Sequence, residues 1–336
     1  MLWLTWRQFR VQAVAFGVVA VLVIAVLVVN QISLAGLRTT VGLDSCSGDA
    51  CVPLVNSLLK LSRNGSTWLV YNLIVAVMYL VPPLTGMFWG APLVARELES
   101  GTFKLVWVQS VDRTRWLTVK VAVIGIVAMA LTGVLSAVAG WSGRYLSSAA
   151  QDRLTALHFG AGGIVPIAYS GLAFALGVTA GIVARRTLPA MAVALVAYVG
   201  VVVGLATVVR QHLIPPVRAL LPFDVTQLDG LIRSADLQRL TVIGSPNLPG
   251  AWILSNETVT AAGEPFTGPA SPQFCGDTAS PQDCLNWLGS LGLQEKVSYQ
   301  PMERYWPLQW TEAGMVLALA GAVLAFGFWW LRTRTR

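Results

Sequence analysis

Charge is absent from six long stretches of this chain, and no other feature constrains its fold as tightly. No Asp, Glu, Lys or Arg falls within Ala13–Val29, Leu69–Leu93, Val121–Gly140, Ile164–Ala184, Leu188–Val209 or Ala313–Leu331. Each run is 17 to 25 residues long, and a helix needs about 20 apolar residues to cross a hydrocarbon core of about 30 Å. A soluble domain carries about 25% charged residues; here 12% of 336 residues are charged and 55% are apolar. The pattern predicts an all-α, polytopic helical membrane protein with six transmembrane helices.

The segments between the runs suggest how the spans are arranged. Residues 1–10 place Leu2, Trp3, Trp6 and Phe9 on one helical stripe and Arg7, Gln8 and Arg10 on the other side, as an interfacial amphipathic helix does. The apolar run after them continues to Val29 without a small-residue cleavage site, which reads as a retained anchor. If the spans alternate, Arg7, Arg10, Arg96, Lys104, Arg113, Arg115, Lys120, Arg185, Arg186, Arg332, Arg334 and Arg336 share one side with only Glu97, Glu99 and Asp112 as acids. Short basic loops stay cytoplasmic, so both termini are expected inside. The net charge of +7 is thereby explained by membrane topology, and no nucleic-acid partner is implied. The expected organisation is spans one to five over 11–209, an extracellular cap over 210–309, and the sixth span with a basic tail over 310–336.

Asn30–Thr67 and Ser142–Gly163 read as outer loops. Within the cap, Val225–Leu240 reads as helix-like and Gly263–Pro281, rich in Pro, Gly, Ser and Thr, as loop. Pro82–Pro83 is expected to kink or break the second span, and Ala173, Gly177 and Gly181 offer a close-packing stripe in the fourth. Cys46, Cys51, Cys275 and Cys284 all fall outside, where disulfides form. Four cysteines allow three pairings, of which the local bridges Cys46–Cys51 and Cys275–Cys284 are the simplest. A metal centre is a poor reading, because only His158 and His212 could assist and neither has ligand-like spacing.

The polar stretch 90–120 lies on the side of the basic tail. Its Phe103, Val106 and Trp107 fall on one face of a short helix at i, i+3 and i+4. The run Ala95–Arg96–Glu97–Leu98–Glu99–Ser100–Gly101–Thr102–Phe103–Lys104–Leu105, with Gln109–Ser110–Val111–Asp112–Arg113–Thr114–Arg115–Trp116 and Lys120, resembles the first cytoplasmic loop of type-2 ATP-binding-cassette (ABC) exporter permeases, in the form common in actinobacteria. The resemblance implies a coupling helix over Gly101–Ser110 that docks on a separate ATPase subunit. Phe103, Val106 and Trp107 would then make apolar contacts, Arg96, Glu97 and Glu99 polar ones, with Gly101, Thr102 and Arg113 completing the motif. It also implies a second copy of the chain facing the first through spans two and five. That would put Tyr71, Met78, Tyr79, Phe88, Met191 and Tyr198 near a transport path for a hydrophobic or amphipathic cargo in the bacterial plasma membrane.

No G-x-x-x-x-G-K-[ST] motif occurs in the chain, so no phosphate-cradling loop is expected here. ATP and Mg would belong to the partner, and the chain itself is not expected to be an enzyme. The six uncharged cores also lack the Asp, Glu or His that a proton relay uses, which argues for energy arriving from a separate subunit. Two alternatives stay open: an ion-coupled secondary carrier, and a non-transporting membrane sensor coupled to an ATPase.

Overall fold

The computed structural model describes residues 2–46, 51–100, 113–233, 239–276 and 280–334. Met1–Leu213 together with Trp306–Arg336 forms one compact unit, and Ile214–Tyr305 forms a second. The first unit begins with α1 (Leu2–Val41), α2 (Cys51–Arg63) and α3 (Ser66–Thr85), the last running through a π turn over Gly86–Gly90 into α4 (Ala91–Ser100). It continues with α5 (Arg113–Ala150), the short α6 (Ala156–Ala161), α7 (Val165–Ala184) and α8 (Thr187–Gly204). A second π turn over Leu205–Val209 leads into α9 (Arg210–Leu213). The second unit supplies α10 (Pro272–Cys275) and α11 (Pro281–Ser290), and α12 (Tyr305–Arg334) ends the chain.

Among the described residues six helical stretches are long and apolar enough to cross a membrane: Arg10–Val41, Ser66–Glu99, Leu117–Ser147, Val165–Ala184, Thr187–Leu213 and Met302–Thr333. Each contains one of the uncharged runs, but several extend well past it. Helix α1 passes through Asn30 and ends only at Val41, and α2 occupies Cys51–Arg63. Likewise α5 continues through Ser142 to Ala150. The expected outer loops 30–67 and 142–163 are therefore largely helical. The physical reason is that a polar residue ends a membrane run without ending a helix. The N-terminal stripe lies on residues whose side chains are outside the described set; the backbone from Leu2 onward is one unbroken helix.

Helix α7 is the centre of this unit, buried along most of its length and packed against α3, α4, α5 and α8. Its small residues meet the second span within the same chain. A Cβ on Gly177 would stand 2.2 Å from the Gly86 carbonyl oxygen, and one on Gly86 would stand 2.4 Å from that of Ala173. Pro82 and Pro83 lie inside α3, which carries on through them. The Gly86 N–H donates to both proline carbonyls, and the widened π turn begins at once. The expected break thus becomes a local change of helical repeat, which keeps the backbone groups bonded. Trp89, Leu117, Ile124, Phe174, Ile182 and Leu331 form a core at one end of the bundle. Leu27, Ile74, Val75, Met78 and Leu135 form a second.

The second unit departs from the all-α expectation. Strands β1 (Val217–Pro222), β4 (Trp252–Val259) and β5 (Gln294–Gln300) form an antiparallel sheet in the order β1-β5-β4, and β2 (Leu228–Arg233) pairs with β3 (Leu240–Gly244). The register sets Val217 opposite Tyr299 and Asn256 opposite Val297. Val225–Leu240, read as helix-like, instead supplies β2 and the first residue of β3. The deciding signal is period two: Leu240 and Val242 point inward while Thr241 and Ile243 point out, as on a half-buried sheet. Leu240, Val242, Ala270, Cys275, Leu288 and Leu293 make this unit's core. Cys275 is bonded to Cys284, joining α10 to α11, and Cys46 to Cys51 at the start of α2.

Candidate functional site

A charged cluster is buried in the helix bundle. Arg210, on α9, is 1% exposed and Glu312, on α12, is fully buried. Arg210 Nε donates to Glu312 Oε2 at 2.7 Å and Nη2 to Oε1 at 3.0 Å. This two-point fork suits a planar guanidinium facing a carboxylate. The Tyr169 hydroxyl of α7 donates to Glu312 Oε1 at 2.5 Å, and Arg210 Nη1 donates to the Ala156 carbonyl at 3.1 Å. The guanidinium also lies 4.5 Å from the centre of the Phe159 ring. One turn away, Gln309 accepts at 3.0 Å from the N–H groups of Ile164 and Val165, and donates at 3.0 Å to the Phe159 carbonyl. It thereby satisfies donors that the start of α7 would otherwise leave bare.

This cluster escapes a reading of the sequence alone. Arg210 and Glu312 each stand one residue beyond an uncharged run, where a charge ordinarily marks the membrane edge. Only the fold brings them together across 102 positions. The pair also qualifies the expectation that titratable groups lie outside the apolar helices. Both Glu312 oxygens accept hydrogen bonds, from Arg210 and Tyr169, so the geometry is that of a clamp between α7, α9 and α12.

At the other end of the bundle, the residues leading into the polar stretch are tied to two further spans. Glu97 of α4 pairs with Lys120 of α5, both largely buried. Glu99 Oε2 accepts from the Thr187 N–H at 3.1 Å and from its hydroxyl at 2.9 Å, at the first residue of α8. A carboxylate at a helix N-terminus satisfies an orphan donor and meets the positive end of the helix dipole. Arg96 is exposed. Gly101, Thr102, Phe103, Val106 and Trp107 lie outside the described residues, as does the helix expected over 101–110, and so does the side chain of Arg113, the residue that opens α5.

A family model described as "ABC-2 membrane transporter related" matches residues 16–210. The chain belongs to this family. The match covers spans one to five and ends at Arg210, so the second unit and α12 lie beyond it. No match was found among curated proteins or among solved structures. Membership of the ABC-2 family and six apolar helices make this chain a membrane component of a transporter.

Within this ABC-2 chain the residues expected along a path fall into different surroundings. Tyr71 is buried, donates to Asp152 at 2.9 Å and stacks on His158 at 5.2 Å between ring centres. His158 is half-buried, with Nε2 3.4 Å from Asp152. Tyr79 donates to the Leu157 carbonyl at 2.9 Å, over Gly160, where a Cβ would meet its hydroxyl at 2.4 Å. Tyr198 is buried and meets Tyr169 edge-on at 6.4 Å. Met78 belongs to the α1–α3 core, Met191 packs beside Ala91 and Ala190, and Phe88 is exposed. The structure gathers Tyr79, Tyr169 and Tyr198 around the Arg210–Glu312 clamp and leaves Met78, Phe88 and Met191 apart from it. Among the described residues no group of three His, Cys, Asp or Glu could hold a metal ion.

Proposed function

We propose that this chain is the permease subunit of an ABC exporter in a bacterial plasma membrane, of the type common in actinobacteria, with both termini cytoplasmic and the second unit outside. Two copies surround a path for a hydrophobic or amphipathic compound. A separate ATPase subunit, which holds ATP and Mg, docks on a coupling helix over Gly101–Ser110 through Phe103, Val106 and Trp107. The observation that carries this reading is the rooting of that segment. On one flank Glu97 grips Lys120 of α5 and Glu99 grips the first residue of α8, so a displacement of the coupling helix would be passed to the second, third and fifth spans together. ATP drives export if it binds best to the outward-open pair, because a ligand shifts an equilibrium only by its differential affinity.

The test is co-purification of the full chain with candidate ABC ATPases, comparing wild type with Phe103→Asp, Trp107→Ala and Glu99→Gln. We expect wild type to retain an ATPase and alter its turnover. Phe103→Asp should lose binding, and Glu99→Gln should keep binding while losing most of the change in turnover. Equal capture by wild type and Phe103→Asp would overturn the docking site.

A further inference from the structure

Helix α8 is held firmly at its two ends and lightly between them. At its start, Thr187 is bonded through its N–H and its hydroxyl to Glu99 of α4. Beyond its far end, Arg210 is clamped to Glu312 of α12. The buried residues of α8 are Ala190, Ala194, Tyr198 and Val202, one at every fourth position, so a single narrow stripe makes the contact. Over residues 188–209 only Tyr198 and Thr207 carry a side chain that can hydrogen-bond. Thr207 turns back on its own helix, donating to the Val203 carbonyl at 2.8 Å. Tyr198 is 3% exposed, and its hydroxyl has no partner among the described residues. A buried hydroxyl with its bond unmade is costly and rare in native proteins. Tyr79 of α3, a helix that α8 touches, lies within electrostatic reach of it. The Tyr79 proton goes to the carbonyls of Leu157 and Ala156, while its oxygen accepts nothing among the described residues. A donor lacking an acceptor thus stands near an acceptor lacking a donor.

We propose that Tyr198 donates to Tyr79 in a second arrangement of α8, reached when this helix slides along its apolar stripe while Arg210 stays clamped. The joint is the π turn over Leu205–Val209, which lies between Tyr198 and Arg210. A change of helical repeat inside a helix is where bending concentrates. The drive is the hold of Glu99 on Thr187, and this part rests on the exporter reading: a pull on α4 reaches the start of α8 first. Tyr198 is then a positioning residue, unpaired in the arrangement described above and paired in the other. ATP bound to the partner favours the paired form only through its differential affinity for the two.

The experiment follows thermal unfolding of the detergent-solubilised full chain and, in the same preparations, capture and turnover of a candidate ABC ATPase. Tyr198→Phe should leave Tm at or above the wild-type value, because no bond is lost in the arrangement described. Tyr169→Phe, which removes a hydroxyl bonded to Glu312, should lower it. Tyr198→Phe should capture the ATPase as wild type does and slow its coupled turnover at least about fivefold. In a Tyr79→Phe background the same change should slow turnover no further, since the acceptor is already gone. The proposal is overturned if Tyr198→Phe lowers Tm as Tyr169→Phe does, if its turnover matches wild type, or if the two tyrosine effects multiply. Those three results leave the exporter reading standing. Failure of wild type to capture any ATPase overturns both together.

Discussion

Arg210 and Glu312 show how much a single contact can carry in an apolar bundle. Each ion is expensive to take out of water, and the two are tolerated because every strong donor and acceptor finds a partner. Glu312→Gln would leave the guanidinium buried against a neutral amide. We expect it to cost about 3–5 kcal/mol, read as a large fall in Tm of the detergent-solubilised protein. Replacing both partners, Arg210→Met with Glu312→Leu, should recover most of that loss, since no charge is then stranded. A Glu312→Gln protein as stable as wild type would show that the clamp contributes nothing. Neither residue could be singled out beforehand, because each looks like an ordinary end of a span until its partner, 102 positions away, is known.

The contact between α7 and the second span is decided by what is missing. At Gly177 and Gly86 the two backbones approach so closely that a methyl group would overlap a carbonyl oxygen. Gly177→Ala should therefore push the helices apart and cost about 1–3 kcal/mol. Gly200 of α8 has nothing within 4 Å of a built Cβ, so Gly200→Ala should be neutral or stabilising by roughly 0.5–1 kcal/mol. Thermal unfolding of the two variants side by side checks the contrast, and equal shifts would refute it. The four-residue spacing of Ala173, Gly177 and Gly181 was legible as a packing stripe. Which helix it met was not, because spacing describes one surface and a contact needs two.

On the scale of the whole molecule, a mixed α/β unit is inserted between the fifth and sixth spans of a helical one. Within it Glu295 of β5 is buried beside Gly244, and burial, then the charges of Asp224 and Asp229, raise its carboxyl above its ordinary value of 4.5. The folded unit therefore binds this proton more tightly than the unfolded chain. Its stability should rise as pH falls through the raised folded value toward 4.5. Asp224 works in the opposite sense. Its bonds from Thr226 lower it below 3.8, so its contribution is lost only in stronger acid. Amide exchange of β3 and β5, corrected for intrinsic rates, should slow as pH falls from neutral toward the ordinary carboxyl value of 4.5. Glu295→Gln should be well protected throughout, and identical pH profiles for the two proteins would contradict the assignment.

Much of the membrane architecture is written locally. Whether a stretch of about 20 residues prefers hydrocarbon to water is close to a sum over its own side chains, so six uncharged runs determined six spans without knowledge of their neighbours. The close spacing of the cysteines likewise made local bridges the simplest choice. Helix ends were less legible, because Asn30 and Ser142 are polar yet remain helical. The strands of 214–305 were missed because short mixed segments suit a helix or a sheet until a partner strand sets the register. The clamp of Arg210 on Glu312, the grip of Glu99 on Thr187 and the glycine contact at Gly177 belong to the tertiary structure alone. Each is a property of two surfaces brought together, and neither surface carries the identity of its partner.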